Sequence, residues 1–116
     1  MATKTRKPSI PYGWLYFIYG DGKIKMGITK DPLIRRLRNM QGQSPSILTM
    51  VGAINKPINQ LEKIETDLHQ RFAVLWSHGE WFYDSPDIRE FIGKYAQEFE
   101  LRVSIKNANL ERLEEH

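Results

Sequence analysis

The chain has 116 residues with 41% hydrophobic and 27% charged side chains, which suits one soluble domain with its own core. It has no cysteine, so disulfides, thiolate chemistry and cysteine zinc sites are excluded. The net charge of +3 conceals an asymmetry: residues 1–40 carry nine Lys/Arg against two Asp, and the rest carry eight against twelve acidic residues. A basic half interleaved with aromatics suits a polyanion-binding face, although a solvated lysine-rich surface explains the charge equally well.

In chain order, residues 1–12 read as a flexible basic arm with Pro8 and Pro11. The start has no apolar stretch of signal-peptide type, and the longest apolar run, Trp14 to Tyr19, is too short to span a bilayer. The expectation is a cytoplasmic protein with no membrane association. Residues 14–19 and 23–28 form two strands around Gly20-Asp21-Gly22. Asp31-Pro32 opens a helix that runs to about Gln41, and residues 47–54 form a third, mostly buried strand. A second helix covers about 59–74, Ser77-His78-Gly79 breaks it, and residues 80–84 are a short extended piece. Ser85-Pro86-Asp87 starts a third helix to about Phe99. Residues 101–116 are an extension, a strand or a frayed helix. The order β-β-α-β-α-α implies an α+β fold, a small α/β sandwich with a three-stranded, mostly antiparallel sheet over residues 13–100.

Register decides what the hairpin presents. A four-residue loop from Gly20 to Lys23 sets Tyr19 opposite Ile24. One face then carries Leu15, Phe17, Tyr19, Ile24, Met26 and Ile28 and is wholly apolar. The other carries Trp14, Tyr16 and Ile18 against Lys25 and Gly27. Tyr16 lies across from Gly27 with Lys25 diagonal to it, so a phenol, an ammonium and a bare strip of backbone share one surface.

Two helices add to the pattern. In the first, Leu33, Leu37 and Met40 make the core stripe; Arg36 borders it, Arg35 lies nearly opposite and Arg38 lies on the other flank. In the second, Leu61, Ile64, Leu68 and Phe72 form an apolar stripe, and Glu65 falls inside it with His69 one turn on. A carboxylate there is unfavourable unless a cation or a hydrogen-bond partner compensates it; a structural Glu65–His69 pair is the plain alternative.

These residues resemble a family. Leu15-Tyr16 and Lys25-Met26-Gly27 look like the two halves of the GIY-YIG nuclease signature, in the branch where lysine replaces the second tyrosine (the meiotically up-regulated gene type and a related phage type). Tyr16-Phe17-Ile18, Lys25-Met26-Gly27-Ile28-Thr29, Arg36-Leu37, Glu65…His69…Phe72 and Gly79-Glu80-Trp81-Phe82 follow that branch in order across residues 13–92. Met40 departs from it, standing where the superfamily often has histidine.

The resemblance implies a metal-dependent endonuclease leaving 5′-phosphate and 3′-hydroxyl ends. Tyr16 becomes the general base, its phenolate favoured by the adjacent Lys25, which is alternatively a clamp on the phosphate. Arg36 offsets charge on the phosphorus, and Glu65 holds a single Mg²⁺ or Mn²⁺. His69 contacts the scissile phosphate or positions Glu65, and Glu80 holds Arg36 or a helix end. Lys23, Lys30, Arg35 and Arg38 are the further cations expected on the nucleic-acid side, with Arg35 and Arg38 also readable as a solvated helix face. The expected partner is DNA, RNA not excluded, and the expected state a monomer or homodimer. The rival readings are a non-catalytic nucleic-acid-binding module that keeps the fold, and a domain that binds acidic proteins.

Overall fold

The computed structural model describes residues 9–103. The elements are β1 (Tyr12–Gly20), β2 (Lys23–Thr29), α1 (Leu33–Gln41), β3 (Thr49–Pro57), α2 (Ile58–Arg71), a 3₁₀ turn (Ala73–Leu75), β4 (Trp76–His78), β5 (Trp81–Tyr83), α3 (Pro86–Tyr95) and β6 (Gln97–Leu101). Residues 1–8 of the expected arm and 104–116 of the expected extension lie outside the described residues.

The class is α+β, but the expected three-stranded sheet is wrong. The sheet has six strands in the order β4-β5-β2-β1-β3-β6, and every pairing is antiparallel. The three uncounted strands have physical reasons for being missed. β5 lies within the short extended piece expected at 80–84, but it and β4 are three residues each, too short to show the period-2 pattern that would count them into the sheet. β6 begins where the third helix was expected to continue. Phe91, Tyr95 and Phe99 are spaced like a helical stripe, but Ala96 is extended, with ψ 159°, and ends α3. Beyond it Phe99 and Leu101 point inward between Glu98 and Glu100, an alternation of strand type.

The hairpin register is the one the faces require: Tyr19 pairs with Ile24, Phe17 with Met26, Tyr16 with Gly27 and Ile18 with Lys25. Gly20 also pairs with Lys23, so the loop is two residues rather than four. Asp21 and Gly22 both have positive φ, 54° and 77°, the Asp-Gly turn whose twist matches antiparallel strands.

The helices divide between the two faces of the sheet. Leu15, Phe17, Ile24 and Met26 pack under Leu61, Leu68 and Phe72 of the α2 segment and Ile88, Phe91 and Ile92 of α3. Tyr16, Ile18 and Met50 pack on the other face with Leu37 of α1 and Leu48. Capping differs between the proline-led helices. Ser85 caps α3, its Oγ accepting from the Ile88 N–H at 3.2 Å with Pro86 in the first turn. At α1 the cap position is Pro32 itself and no side chain caps it; the Asp31 N–H instead donates to Thr29 Oγ1 at 3.0 Å.

Candidate functional site

β5 pairs with β2 only over Lys23–Lys25. From there the Met26 N–H donates to the Glu80 carbonyl at 3.1 Å, which fixes Glu80 at the point where β2 loses its neighbour. Tyr16 sits on β1 directly across from Gly27, and its ring lies over that residue. A Cβ on Gly27 would stand 2.5 Å from Tyr16 Oη, 2.7 Å from Cζ and 3.1 Å from Glu80 Oε1. Glycine is therefore required here for close approach, not for backbone freedom.

Arg36, half-buried on α1, donates from Nε to Tyr16 Oη at 3.2 Å. Arg35 and Arg38 are exposed, as the wheel implies. Lys25, its side chain 18% exposed, faces Glu80 with Nζ 3.8 Å from Oε1. That is a long ion pair, which contributes little energy. The expected pairing of Lys25 with the Tyr16 phenol is thus redistributed: the cation on the phenol is Arg36, and Lys25 goes to Glu80.

The phenol's acidity follows from this arrangement. Tyr16 is fully buried, and burial is the largest cause that raises its pKa above 10; the Arg36 hydrogen bond and charge oppose it, and the charges of Glu80 and Glu65 add to it. The expected stabilisation of the phenolate is outweighed by desolvation.

Glu65 comes to the same sheet edge from α2. Its carboxyl is pushed up to about 7, first by burial, then by the charge and proximity of Glu80, with a smaller effect of Glu62. Its Oε2 is buried and finds no hydrogen-bond partner among the described residues. Two ionised carboxylates cannot bond each other; Glu65 donates to Glu80 only when it carries the proton. An orphaned carboxylate oxygen beside a second carboxylate is a donor set that suits a hard divalent cation.

His69 is placed differently. Its Nε2 lies 3.4 Å from the Met26 carbonyl and its ring packs on Phe82, centroids 5.0 Å apart. It braces the underside of β2, and the structural pair with Glu65 is not what it makes. Lys23 lies with its ammonium 5.6 Å from the Tyr83 ring centroid, and Lys30 is exposed just past β2.

The structure thus gathers Tyr16, Lys25, Arg36 and Glu65 at one sheet edge and adds Glu80, whose role the sequence left open. Gly79 has φ 52° and turns the chain so that the next residue meets β2, a meeting that the local sequence does not announce. Also unforeseen is a cavity of about 390 Å³ beside the cluster, lined among others by Lys23, Lys25, Gln43, Ser44, His78 and Trp81. Among the described residues no helix is long and apolar enough to cross a membrane.

No curated protein and no solved structure matches the chain. The T5orf172 domain matches it over residues 13–111, while no GIY-YIG family match accompanies it. That span contains every residue of the cluster and connects the chain with nuclease-related, nucleic-acid-associated modules. The chain belongs to the T5orf172 domain family.

Proposed function

We propose that the protein is a metal-dependent endonuclease that hydrolyses phosphodiester bonds of DNA. One observation carries the reading: a buried phenol held by a guanidinium and an orphaned carboxylate oxygen from the opposite layer converge where β2 runs on past the end of its pairing with β5. Nucleic-acid binding alone requires cations and exposed aromatics, and it gives no reason to gather two carboxyls beside them.

In this reading the side chains divide the work. As the phenolate, Tyr16 takes a proton from the attacking water while the water oxygen bonds to phosphorus and the P–O3′ bond breaks, the departing 3′ oxygen taking its proton from solvent. Arg36 orients the phenol through its Nε–H and presents the rest of the guanidinium to the phosphoryl oxygens. Lys25 adds a second positive charge on the same face. Glu65, with Glu80 beside it, would hold a single Mg²⁺ or Mn²⁺ through carboxylate oxygens. When bound, such an ion supplies charge stabilisation at the departing 3′ oxygen. His69 keeps the β2 backbone in place under the cluster.

The test is incubation of purified protein with supercoiled plasmid, single-stranded DNA and RNA in Mg²⁺, Mn²⁺ or EDTA, with Arg36→Ala as the control for a contaminating nuclease. Cleavage of DNA that needs the cation and is lost in the variant supports the reading. Binding without cleavage in every condition replaces it with the non-catalytic module.

A further inference from the structure

The cavity beside the cluster has walls from three separate turns. The hairpin end supplies Lys23 and Lys25, the segment between α1 and β3 supplies Gln43 and Ser44, and the β4–β5 turn supplies His78 and Trp81. Strand register ties it to the reactive edge: Ile18, Lys25 and Trp81 form one row across β1, β2 and β5, and Tyr16 and Gly27 form the next. Two residues along a strand separate the rows, about 7 Å. A group in the cavity therefore lies about one nucleotide away from a phosphate held at Tyr16.

The walls are built rather than loose. The Gln41 side chain donates to the Ser46 carbonyl at 2.8 Å and accepts from the Leu48 N–H at 2.7 Å. Ser44 Oγ bonds both the carbonyl and the N–H of Ser46, at 3.0 and 3.1 Å. On the other side Trp76 Nε1 donates to the Gly79 carbonyl at 2.9 Å, and Ser77 Oγ lies 2.9 Å from His78 Nδ1. His78 and Trp81 are near-parallel, 17° apart, with centroids separated by 6.4 Å, an offset aromatic pair.

Resting on the nuclease reading above, we propose that this cavity is a nucleoside subsite that takes one unpaired base flanking the phosphate to be cut. The aromatic pair offers a surface for the π-face of any base. The exposed Gln43 amide offers a donor and an acceptor to the base edge. Lys23 and Lys25 face the adjoining phosphates and outnumber Asp21, the acidic residue of the rim. About 390 Å³ is within the range of small-ligand sites. A paired base must leave its stack to enter, so the substrate class is single-stranded or locally unpaired nucleic acid.

Fluorescence anisotropy in EDTA at low salt tests this without any cleavage. The probes are a labelled twelve-nucleotide oligothymidylate, a twelve-nucleotide strand with the same phosphates and no bases, and a twelve-base-pair duplex. The oligothymidylate is expected to bind roughly tenfold or more tighter than the other two, a stacking-sized difference. His78→Ala, an exposed position, is expected to remove most of that preference and to leave the baseless strand unaffected; Gln43→Ala is expected to weaken the oligothymidylate by a few-fold. Equal binding of the three probes, or a preference untouched by His78→Ala, overturns the subsite while plasmid cleavage stands. Failure to bind any probe overturns the nucleic-acid reading as well.

Discussion

Replacing Glu65 by Gln keeps the shape of the side chain and removes its charge, and the structure sets the sign of the effect. The carboxyl titrates near 7 in the folded protein against 4.5 ordinarily. Between those values the folded state holds a proton that the unfolded state has released. Stability contributed by that proton is complete below about 4.5 and lost as pH rises through about 7. The full shift corresponds to at most about 3 kcal/mol; with partial solvent access, about 1–2 kcal/mol is the expected size. In EDTA, wild type should therefore melt several degrees lower at pH 8 than at pH 5. Glu65→Gln, which donates to Glu80 at any pH, should lose that dependence and exceed wild type at pH 8. Adding Mg²⁺ or Mn²⁺ at pH 8 should reverse the order, since a cation a hundredfold above its Kd stabilises by about 2.7 kcal/mol and the amide binds it poorly. The variant should bind DNA at least as well as wild type and be almost inactive. Urea or thermal unfolding at the two pH values, with and without the ions, reads all of this. A wild type indifferent to pH between 5 and 8, together with equal cation stabilisation of both proteins, would refute the reasoning.

Tyr16→Phe removes one hydroxyl from a buried ring, so folding should change by at most about 1–2 kcal/mol while plasmid cleavage falls roughly 10²–10⁴-fold; activity within a few-fold of wild type counts against a base at this position. Because burial raises the phenol above 10, cleavage should rise about tenfold per pH unit from 7 to 9 if the phenolate is the acting form, and a flat profile would exclude it. Arg36→Ala should reduce cleavage by about 10²-fold or more and Arg35→Ala should be mild; the reverse order would mean that the hydrogen bond to Tyr16 is not the one that matters. Gly27→Ala should displace the Tyr16 ring, lower stability by about 1–3 kcal/mol and depress cleavage further than stability alone explains, as a melting curve beside an activity assay will show.

The parts of this fold that could be read from residues are those where a period leaves one solution. Alternation along Leu15–Tyr19 and Ile24–Ile28 admits one register with an unmixed face, and the hairpin adopts it. The Leu33, Leu37, Met40 stripe sets Arg36 apart from Arg35, and their burial differs accordingly. Three-residue strands carry no such period, so β4 and β5, a third of the six strands, could not be assigned to the sheet, although residues 80–84 read as extended. Glu65 was conspicuous because it breaks an apolar stripe. Its neighbour Glu80 was not, since nothing local to Gly79-Glu80-Trp81 says which strand the turn will meet. The cation on the phenol was misassigned for a related reason: cross-strand neighbourhood favours Lys25, whereas the reach of an arginine from the helix above depends on how the layers pack.

The cluster draws Tyr16, Lys25 and Arg36 from the first 41 residues and Glu65 and Glu80 from the segment after the exposed Gly42-Gln43 turn. Neither stretch holds both the phenol and the carboxyls, and β1 lies between β2 and β3, so the two stretches interleave rather than abut. A ribosome must release residues past Glu80 before the hydroxyl and the acid pair can meet. Until then the growing chain carries the phenol without the acid pair, and a break at that turn would leave neither piece with the whole cluster.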